Sequence, residues 1–299
     1  MKALVTGANG FVGQHLMNEL KQGGHMPLAI YGPLAVTTEN TLAIDLMNEA
    51  AVNAIDLTGV DTVFHLAGLA AVGASFDQAR RYIDTNATMQ INLFQAALLQ
   101  GSKPRFIIIS TGSVYDPSAP LPLTEASPTA PSSPYSVSKL TQENLAFYYR
   151  QLGFEVIVAR PFNHIGPGQG EGFLVPDLVR QLTGTSHTIS TGNLSSKRDY
   201  TDVRDIVRAY RLLAESGVSG KIYNICSGVS VSGDELLKLL IHLDGRKLKI
   251  EIDQNKLRPT DTNEICGDHS LITADTGWEP IIGLEQTLKD VLSERLARN

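Results

Sequence analysis

Residues 2–16 read Lys-Ala-Leu-Val-Thr-Gly-Ala-Asn-Gly-Phe-Val-Gly-Gln-His-Leu, which predicts a strand, a tight turn and a helix. A short apolar run precedes Gly7, Gly10 and Gly13, and apolar residues at helical spacing follow. Such a turn lets backbone N–H groups approach a pyrophosphate, and the helix N-terminus adds partial positive charge. Glycine suits these positions because a Cβ would block the turn, the phosphate or the helix–strand contact. The motif alone is also compatible with a glycine-rich connection between strand and helix that binds no ligand.

The composition narrows the class of protein. A chain of 299 residues can bury a large core in one or two domains. Its net charge of −6 argues against nucleic acid or an anionic membrane as the main partner. The two cysteines, Cys226 and Cys266, form no CxxC pattern, so we expect free thiols and no metal site. Because there is neither a secretory leader nor an apolar run near ~20 residues, we expect a cytoplasmic protein.

Short apolar strands alternate with helices through the first half of the chain. Strands are predicted at residues 27–31, 41–46, 61–67, 105–110, 154–160 and 221–225, and helices at 82–99, 135–152, 236–243 and 284–297. This alternation predicts an α/β fold, a doubly wound parallel sheet of the Rossmann type, with a smaller C-terminal substrate-binding lobe. Residues 1–162 are assigned to the nucleotide-binding domain, joined by 195–228. Residues 163–194 and 229–299 are assigned to the lobe.

The second predicted strand ends where a dinucleotide fold contacts the adenine ribose. Residues 29–33 read Ala-Ile-Tyr-Gly-Pro, with no carboxylate for ribose hydroxyls and no arginine for a 2′-phosphate. Without a carboxylate to repel that phosphate, NADP(H) is favoured, while NAD(H) stays open. Asp45 either binds the adenine amino group or caps the following helix. His65 lies within an apolar strand and is interpreted as a core histidine.

Thr111, Tyr135 and Lys139 form the constellation that suggests catalysis. Tyr135 and Lys139 are four residues apart on a predicted helix and therefore share a face. A phenol has a reference pKa near ~10, which a nearby ammonium lowers. Thr111 follows the fifth predicted strand, where its hydroxyl can hold an oxygen whose protonation changes. A Tyr-x-x-x-Lys pattern alone fits a surface pair, but together with the glycine turn and a helix carrying Asn86 it indicates a redox site.

Several motifs together resemble the extended short-chain dehydrogenase/reductase family, in its nucleotide-sugar branch. They include Thr-Gly-Ala-Asn-Gly-Phe-Val-Gly at 6–13, His-Leu-Ala-Gly at 65–68, Tyr-Ser-Val-Ser-Lys at 135–139 and Arg-Asp-Tyr at 198–200. The stretch Arg-Pro-Phe-Asn-His-Ile-Gly-Pro-Gly-Gln at 160–169 is similar to that of reductases that convert GDP-4-keto-6-deoxy-D-mannose to GDP-D-rhamnose. The resemblance covers nearly the whole chain.

The resemblance implies roles for individual residues. Tyr135 is the proton donor or acceptor, Lys139 holds the nicotinamide ribose, and Thr111 binds the reacting oxygen. Asn86 is expected to kink its helix and to support a proton path to solvent. The helices containing Asn86 and Tyr135 imply a homodimer. The cofactor contacts implied, besides Tyr135 and Lys139, are Gly7, Asn9, Gly10, Phe11, Val12, Asp45, Leu46, Leu66, Ala67, Gly68 and Asn86.

A second group of residues is implied to hold a GDP-sugar. Positions matching Asn163, Arg198 and Arg258 contact the diphosphate or its sugar in related enzymes. A guanidinium suits this role because it binds phosphate oxygens through paired hydrogen bonds. Surface ion pairs remain the alternative, with Asp199 or Asp202 for Arg198 and Asp261 for Arg258.

Three other functions compete with the reductase. Dehydratases of the family carry a carboxylic acid pair after the threonine, but residues 112–113 are Gly-Ser here, which argues against that activity. A 4-epimerase uses the same Thr/Tyr/Lys set with tightly held NAD and stays open, distinguishable by a redox-neutral reaction. A catalytically silent binding protein also fits the fold, although retention of Thr111, Tyr135 and Lys139 argues against it.

Overall fold

The structure, a computed structural model, describes residues 1–246, 248–253 and 263–298. The strands are β1 (Lys2–Thr6), β2 (Met26–Tyr31), β3 (Thr41–Ala43), β4 (Thr62–His65), β5 (Arg105–Ile109), β6 (Val156–Pro161), β7 (Asn163–Ile165), β8 (Thr188–Thr191), β9 (Lys197–Asp202), β10 (Ile222–Ile225), β11 (Ser230–Ser232), β12 (Lys249–Ile252) and β13 (Glu264–Ile265). The helices are α1 (Phe11–Gln22), α2 (Glu49–Asn53), α3 (Val72–Asp77), α4 (Ala79–Leu99), α5 (Pro134–Gln151), α6 (Leu174–Leu182), α7 (Val203–Ser216), α8 (Gly233–Asp244), α9 (Ser270–Thr276) and α10 (Leu284–Arg298). A 3-10 turn spans Gly112–Val114.

A seven-stranded parallel sheet forms the centre, in the order β10-β6-β5-β4-β1-β2-β3. The order reverses at β1, because β2 and β3 lie on one side of it and β4, β5 and β6 on the other. The strands are near-continuous apolar runs, as expected for a sheet covered on both faces. The predicted doubly wound α/β fold is therefore confirmed.

Each face of the sheet packs against its own helices. Side chains alternate along β1, so Val5 packs with Leu16 of α1 and Tyr210 of α7 on one face. Leu4 points to the opposite face, where it packs with Phe94 of α4 and residues of α2 and α5. The two layers leave the carboxyl ends of the strands open between them.

Smaller sheets complete the chain beyond the main sheet. The strand β9 pairs with β7, β11 and β13, and β8 pairs with β12. An apolar core joins α6, α8 and α10 beneath them. The chain returns to the main sheet at β10, which lies parallel beside β6. The predicted smaller C-terminal part is thus confirmed. The predicted domain boundaries at residues 162, 195 and 228 stay a proposal.

Most predicted elements are present, with different ends. The predicted strand 41–46 ends at Ala43, and α4 begins at Ala79 rather than at residue 82. The helix predicted at 236–243 begins at Gly233, because Ser232 and Glu235 form a capping box there. The short strands of the smaller sheets and the helix α6 were not predicted. None of the helices in the described ranges is long and apolar enough to span a bilayer.

Candidate active site

The glycine turn joins β1 to α1 with almost no free space around its backbone. Gly7 has φ +67°, and a Cβ there would lie 2.9 Å from the Ala67 nitrogen. A Cβ on Gly13 would lie 2.2 Å from the Gly7 carbonyl oxygen. These positions therefore require glycine. The first N–H groups of α1, from Phe11 onward, have no intrahelical acceptor and can bind an anion.

A cavity of about 330 Å³ opens beside this turn, between β1 and β4 where the strand order reverses. This is where doubly wound sheets bind ligands. The predicted residues lining it are Gly7, Asn9, Gly10, Asp45, Leu46, Leu66, Ala67 and Gly68. Residues 30–33, at the end of β2 where the sequence predicted the adenine ribose, also line the cavity, as do Ile44 and Met89, which were not assigned to the site from sequence. Met89 could have been found, since it lies one helical turn after Asn86 on α4.

The residues that line the cavity suit the phosphates of a dinucleotide. Gly7, Gly10 and Gly68 line it, and α1 begins directly after Gly10, so the positive end of this helix lies beside the cavity. A larger open depression of about 450 Å³ lies at the amino ends of the strands, beside Met1 and Arg105. That edge is not where ligands bind in this kind of sheet, so we expect a dinucleotide in the smaller cavity.

Asp45 does not cap the helix that follows it. Its Oδ1 accepts a hydrogen bond from the Met47 nitrogen at 2.9 Å. The N-cap of α2 is Asn48, whose Oδ1 accepts from the Ala51 nitrogen at 3.1 Å. The capping alternative is therefore wrong, because the helix begins later than the sequence pattern suggested. The adenine contact of Asp45 stays a prediction.

Thr111 and Tyr135 meet at the carboxyl end of β5. Thr111 is 8% exposed, and its Oγ1 accepts a hydrogen bond from the Ser113 nitrogen at 3.1 Å. Burial raises the pKa of Tyr135 to about 12, and a hydrogen bond with Thr111 opposes that rise only in part. The expectation that Lys139 lowers this pKa is wrong for this structure, because desolvation of the phenolate dominates. The phenol is therefore protonated at neutral pH.

Lys139 lies one helical turn beyond Tyr135 and is 5% exposed. Its Nζ donates to the Ile109 carbonyl oxygen at 2.9 Å and to Gln142 Oε1 at 2.9 Å. Burial lowers its pKa to about 8, opposed by the negative charge of Glu143. Its Nζ lies 3.6 Å from the position that a Cβ on Gly68 would occupy. Because Gly68 lines the cavity, the ammonium lies beside the cavity wall.

Asn86 fixes the segment that follows β4 against α5. Its side chain is fully buried. Its Oδ1 accepts from the Leu69 nitrogen at 2.8 Å, and its Nδ2 donates to Ser138 Oγ at 2.9 Å. Asn86 therefore links the cavity wall around Gly68 to the helix that carries Tyr135.

Two of the three predicted substrate contacts share one small sheet. Asn163 of β7 pairs in register with Tyr200 of β9, and Arg198 precedes Tyr200 by two residues, so all three occupy the same face. Asp199 faces the other way and accepts hydrogen bonds from backbone nitrogens of the loops at 227–228 and 267. Asp202 binds Arg204 and caps α7. Arg258 lies outside the described residues.

Two histidines near the site have structural contacts. The ring of His164 stacks on Phe11 with centroids 6.2 Å apart, so the first turn of α1 touches the segment of β7. His65 is 1% exposed, and its Nδ1 lies 3.0 Å from Thr6 Oγ1. Burial lowers the pKa of His65 to about 3, so the ring is neutral. Its interpretation as a core histidine is confirmed by this burial, although its Nε2 has no hydrogen-bond partner among the described residues.

Comparison with known proteins decides the family. Residues 3–226 match the model of the NAD dependent epimerase/dehydratase family. The chain belongs to this family. It is 34% identical over 301 residues to the GDP-6-deoxy-D-mannose reductase of Pseudomonas aeruginosa, covering 98% of this chain and 96% of that one. It is 31% identical over 273 residues to the GDP-6-deoxy-D-talose 4-dehydrogenase of Aggregatibacter actinomycetemcomitans, covering 90% and 89%.

Solved structures of the epimerase/dehydratase family share the fold. The structure of RMD from Pseudomonas aeruginosa complexed with NADPH superposes with a TM-score of 0.90 at 32% identity, covering 100% of this chain and 99% of that one. The UDP-glucose 4-epimerase of Thermotoga maritima with UDP-glucose gives 0.86 at 30% identity, with the same coverage. The chain is thus an NAD(P)-dependent nucleotide-sugar oxidoreductase or epimerase.

Proposed function

We propose that this enzyme reduces the C4 ketone of GDP-4-keto-6-deoxy-D-mannose with NAD(P)H and forms GDP-D-rhamnose. Tyr135 donates the proton to the carbonyl oxygen, and Thr111 holds that oxygen as negative charge develops on it. Lys139 holds the nicotinamide ribose. The dinucleotide supplies the hydride when bound.

The observation that carries this proposal is the hydrogen bond between the Tyr135 phenol and the Thr111 hydroxyl at the carboxyl end of β5. A pKa of about 12 leaves the phenol able to donate a proton at neutral pH. Reduction of a ketone needs such a donor from the start, whereas oxidation of an alcohol needs a base at this position. A protonated Tyr135 therefore suits reduction, and the relative named as a GDP-6-deoxy-D-mannose reductase supports that direction.

The GDP-sugar as substrate is supported by the relatives and by the small sheet. Both relatives, at 34% and 31% identity, are named for GDP-6-deoxy sugars. Asn163 and Arg198 share a face next to the segment that touches Phe11 through His164. An arginine on that face can bind a diphosphate through paired hydrogen bonds. We propose Arg198 and Arg258 as its ligands.

A dehydratase is disfavoured by the space around Gly112. A Cβ on Gly112 would lie 3.0 Å from the ring of Phe162. A carboxylate side chain at this position would therefore force the ring to move. Ser113, the next residue, supplies a hydroxyl but no carboxylate, so neither position offers the acid and base that water elimination requires.

A nucleotide-sugar 4-epimerase is the second candidate. The Thermotoga maritima epimerase is 30% identical over nearly the whole length of both chains. Nothing about Thr111, Tyr135 or Lys139 separates the two activities, because both use the same groups. An epimerase is redox-neutral and retains its cofactor, while the reductase consumes one NAD(P)H for each sugar.

One experiment separates these functions. The purified enzyme is incubated with GDP-4-keto-6-deoxy-D-mannose and either NADPH or NADH, and the sugar is identified by NMR. The proposal expects stoichiometric cofactor oxidation and a reduced C4. Conversion of UDP-glucose to its C4 epimer, without net cofactor oxidation, would assign the enzyme as an epimerase instead.

A further inference from the structure

A buried glutamine on α5 joins two groups of the candidate site. Gln142 is fully buried, and its Oε1 accepts a hydrogen bond from Lys139 Nζ at 2.9 Å. Its Nε2 donates to the backbone carbonyl oxygen of Asn86 at 3.0 Å. Gln142 thus lies between the ammonium of Lys139 and the helix α4. Nothing in the motifs quoted from the sequence indicated a role for it.

We infer that Gln142 is a positioning residue that aims one N–H of the Lys139 ammonium at the cofactor. This inference rests on the proposed role of Lys139 in holding the cofactor ribose. An ammonium has three donors. The Ile109 carbonyl and Gln142 take two of them, which leaves one for a ligand in the cavity.

The amide of Gln142 fixes Lys139 and does not conduct protons. An amide nitrogen near neutral pH neither gains nor loses a proton readily, so it cannot pass one from Lys139 to Asn86. The backbone carbonyl of Asn86 accepts a hydrogen bond from Gln142 Nε2. This bond orients the amide so that Gln142 Oε1 faces Lys139. The proton path expected through Asn86 stays a prediction.

Few charged groups of the described residues face Lys139. Glu143 follows Gln142 on α5, and its carboxylate is bound by Arg160 of β6 at 2.6 Å and by Ser110. His65 of β4 is neutral. Tyr135, one turn earlier on α5, is protonated. The negative charge of Glu143 favours the ammonium form of Lys139, and so does the hydrogen bond that Gln142 Oε1 accepts from Lys139 Nζ.

The test compares two substitutions that act on Lys139 in opposite directions. Gln142→Leu removes the acceptor and favours the neutral amine, while Gln142→Glu adds a carboxylate and favours the ammonium. NADPH affinity of the full-length protein is measured by fluorescence titration from pH 6 to 10. We expect the alkaline loss of affinity to move to lower pH in Gln142→Leu and to higher pH in Gln142→Glu, each by about one pH unit.

A matched control removes a neighbouring buried amide that does not touch Lys139. Gln90 of α4 is fully buried, and its Nε2 donates to the backbone carbonyl oxygen of Gln142 at 2.8 Å. We expect Gln90→Met to lower the melting temperature without moving the pH midpoint. If the Gln142→Leu protein does not fold, Gln142→Met is measured in its place.

The inference would be overturned if the pH midpoint of NADPH affinity were the same in all variants, or if it moved in the same direction in both Gln142 variants. An NADPH affinity that does not depend on pH would also overturn it. Failure of the enzyme to reduce any ketosugar would overturn the proposed function alone, since the affinity measurement requires no sugar.

Discussion

Burial determines the protonation of individual residues in the candidate site. Tyr135 is held as a phenol because desolvation disfavours its anion, and Lys139 has its pKa lowered to about 8 for the corresponding reason. The same desolvation keeps His65 neutral. In the proposed reduction, Tyr135 would therefore start the cycle with its proton in place.

Replacing the proposed proton donor should abolish most turnover. Tyr135→Phe removes the hydroxyl while keeping the ring, so we expect kcat to fall by roughly 10²- to 10⁴-fold. NADPH affinity should change little, because Lys139 and the glycine turn remain. Steady-state kinetics with the 4-keto sugar nucleotide measure this. Turnover near that of the unsubstituted enzyme would contradict the catalytic role.

Cofactor choice should respond to a single charge at Gly32. A side chain there meets no atom within 4 Å, so it can be added without strain. Gly32→Asp should repel a 2′-phosphate and bind ribose hydroxyls, and thereby raise the preference for NADH over NADPH by at least about tenfold (~1.4 kcal/mol). Gly32→Asn is the uncharged control. An unchanged ratio of kcat/KM values for the two cofactors would contradict the placement of the ribose.

The neutral His65 should make stability depend on pH. Its folded-state pKa of about 3 lies below the ordinary histidine value of 6.5, so on acidification the unfolded chain takes up a proton first. The free energy of unfolding should fall between about pH 6.5 and 3, by up to ~1.4 kcal/mol per pH unit. Urea unfolding of the unsubstituted protein and of His65→Gln checks this. Identical slopes in the two proteins would refute it.

At the scale of elements, α5 carries the chemistry, and its start is fixed by a cap. Ser133 precedes the helix, and its Oγ accepts from the Ser136 nitrogen at 3.1 Å. This cap places Tyr135 in the first turn, beside the end of β5. The sequence predicted the helix and its Tyr-x-x-x-Lys face, but the exact cap depends on how the preceding loop is held.

Removing this cap should affect catalysis as well as stability. Ser133→Ala should cost about 1 kcal/mol of unfolding free energy. It should also lower kcat several-fold, because the first helical turn positions Tyr135. The control is Ser232→Ala, which removes the N-cap of α8 in the smaller part of the chain. That variant should lose similar stability and keep its kcat; an equal loss of kcat would contradict the positioning.

For the whole molecule, α4 and α5 form the surface proposed for self-association. They pack side by side through buried amides such as Gln90. The outer side of α5 leaves Val137 and Tyr148 exposed, at 37% and 53%. Pairing these helices across a two-fold axis would bury both side chains.

We therefore expect a homodimer in solution. Light scattering should give twice the chain mass, and Tyr148→Glu should shift the protein towards monomer, because it would bury a charge at the interface. Leu296→Glu on α10 is the control, since Leu296 is similarly exposed but lies on another helix. A monomer at all concentrations, or equal effects of the two variants, would contradict the dimer.

The sequence by itself determined the features that depend on local spacing. Glycine positions, the alternation of strands and helices, and the i,i+4 pair of Tyr135 and Lys139 are properties of neighbouring residues. They were sufficient to predict the doubly wound sheet and much of the cavity lining.

Only the tertiary structure decided what depends on segments distant in the chain. It placed the Phe162 ring over Gly112, made Asn48 rather than Asp45 the cap of α2, and brought Gln142 between Lys139 and Asn86. It also reversed the expected pKa shift of Tyr135. These features arise from burial and from long-range contacts, which no local pattern records, because the free energy of a charge or a hydrogen bond depends on everything packed around it.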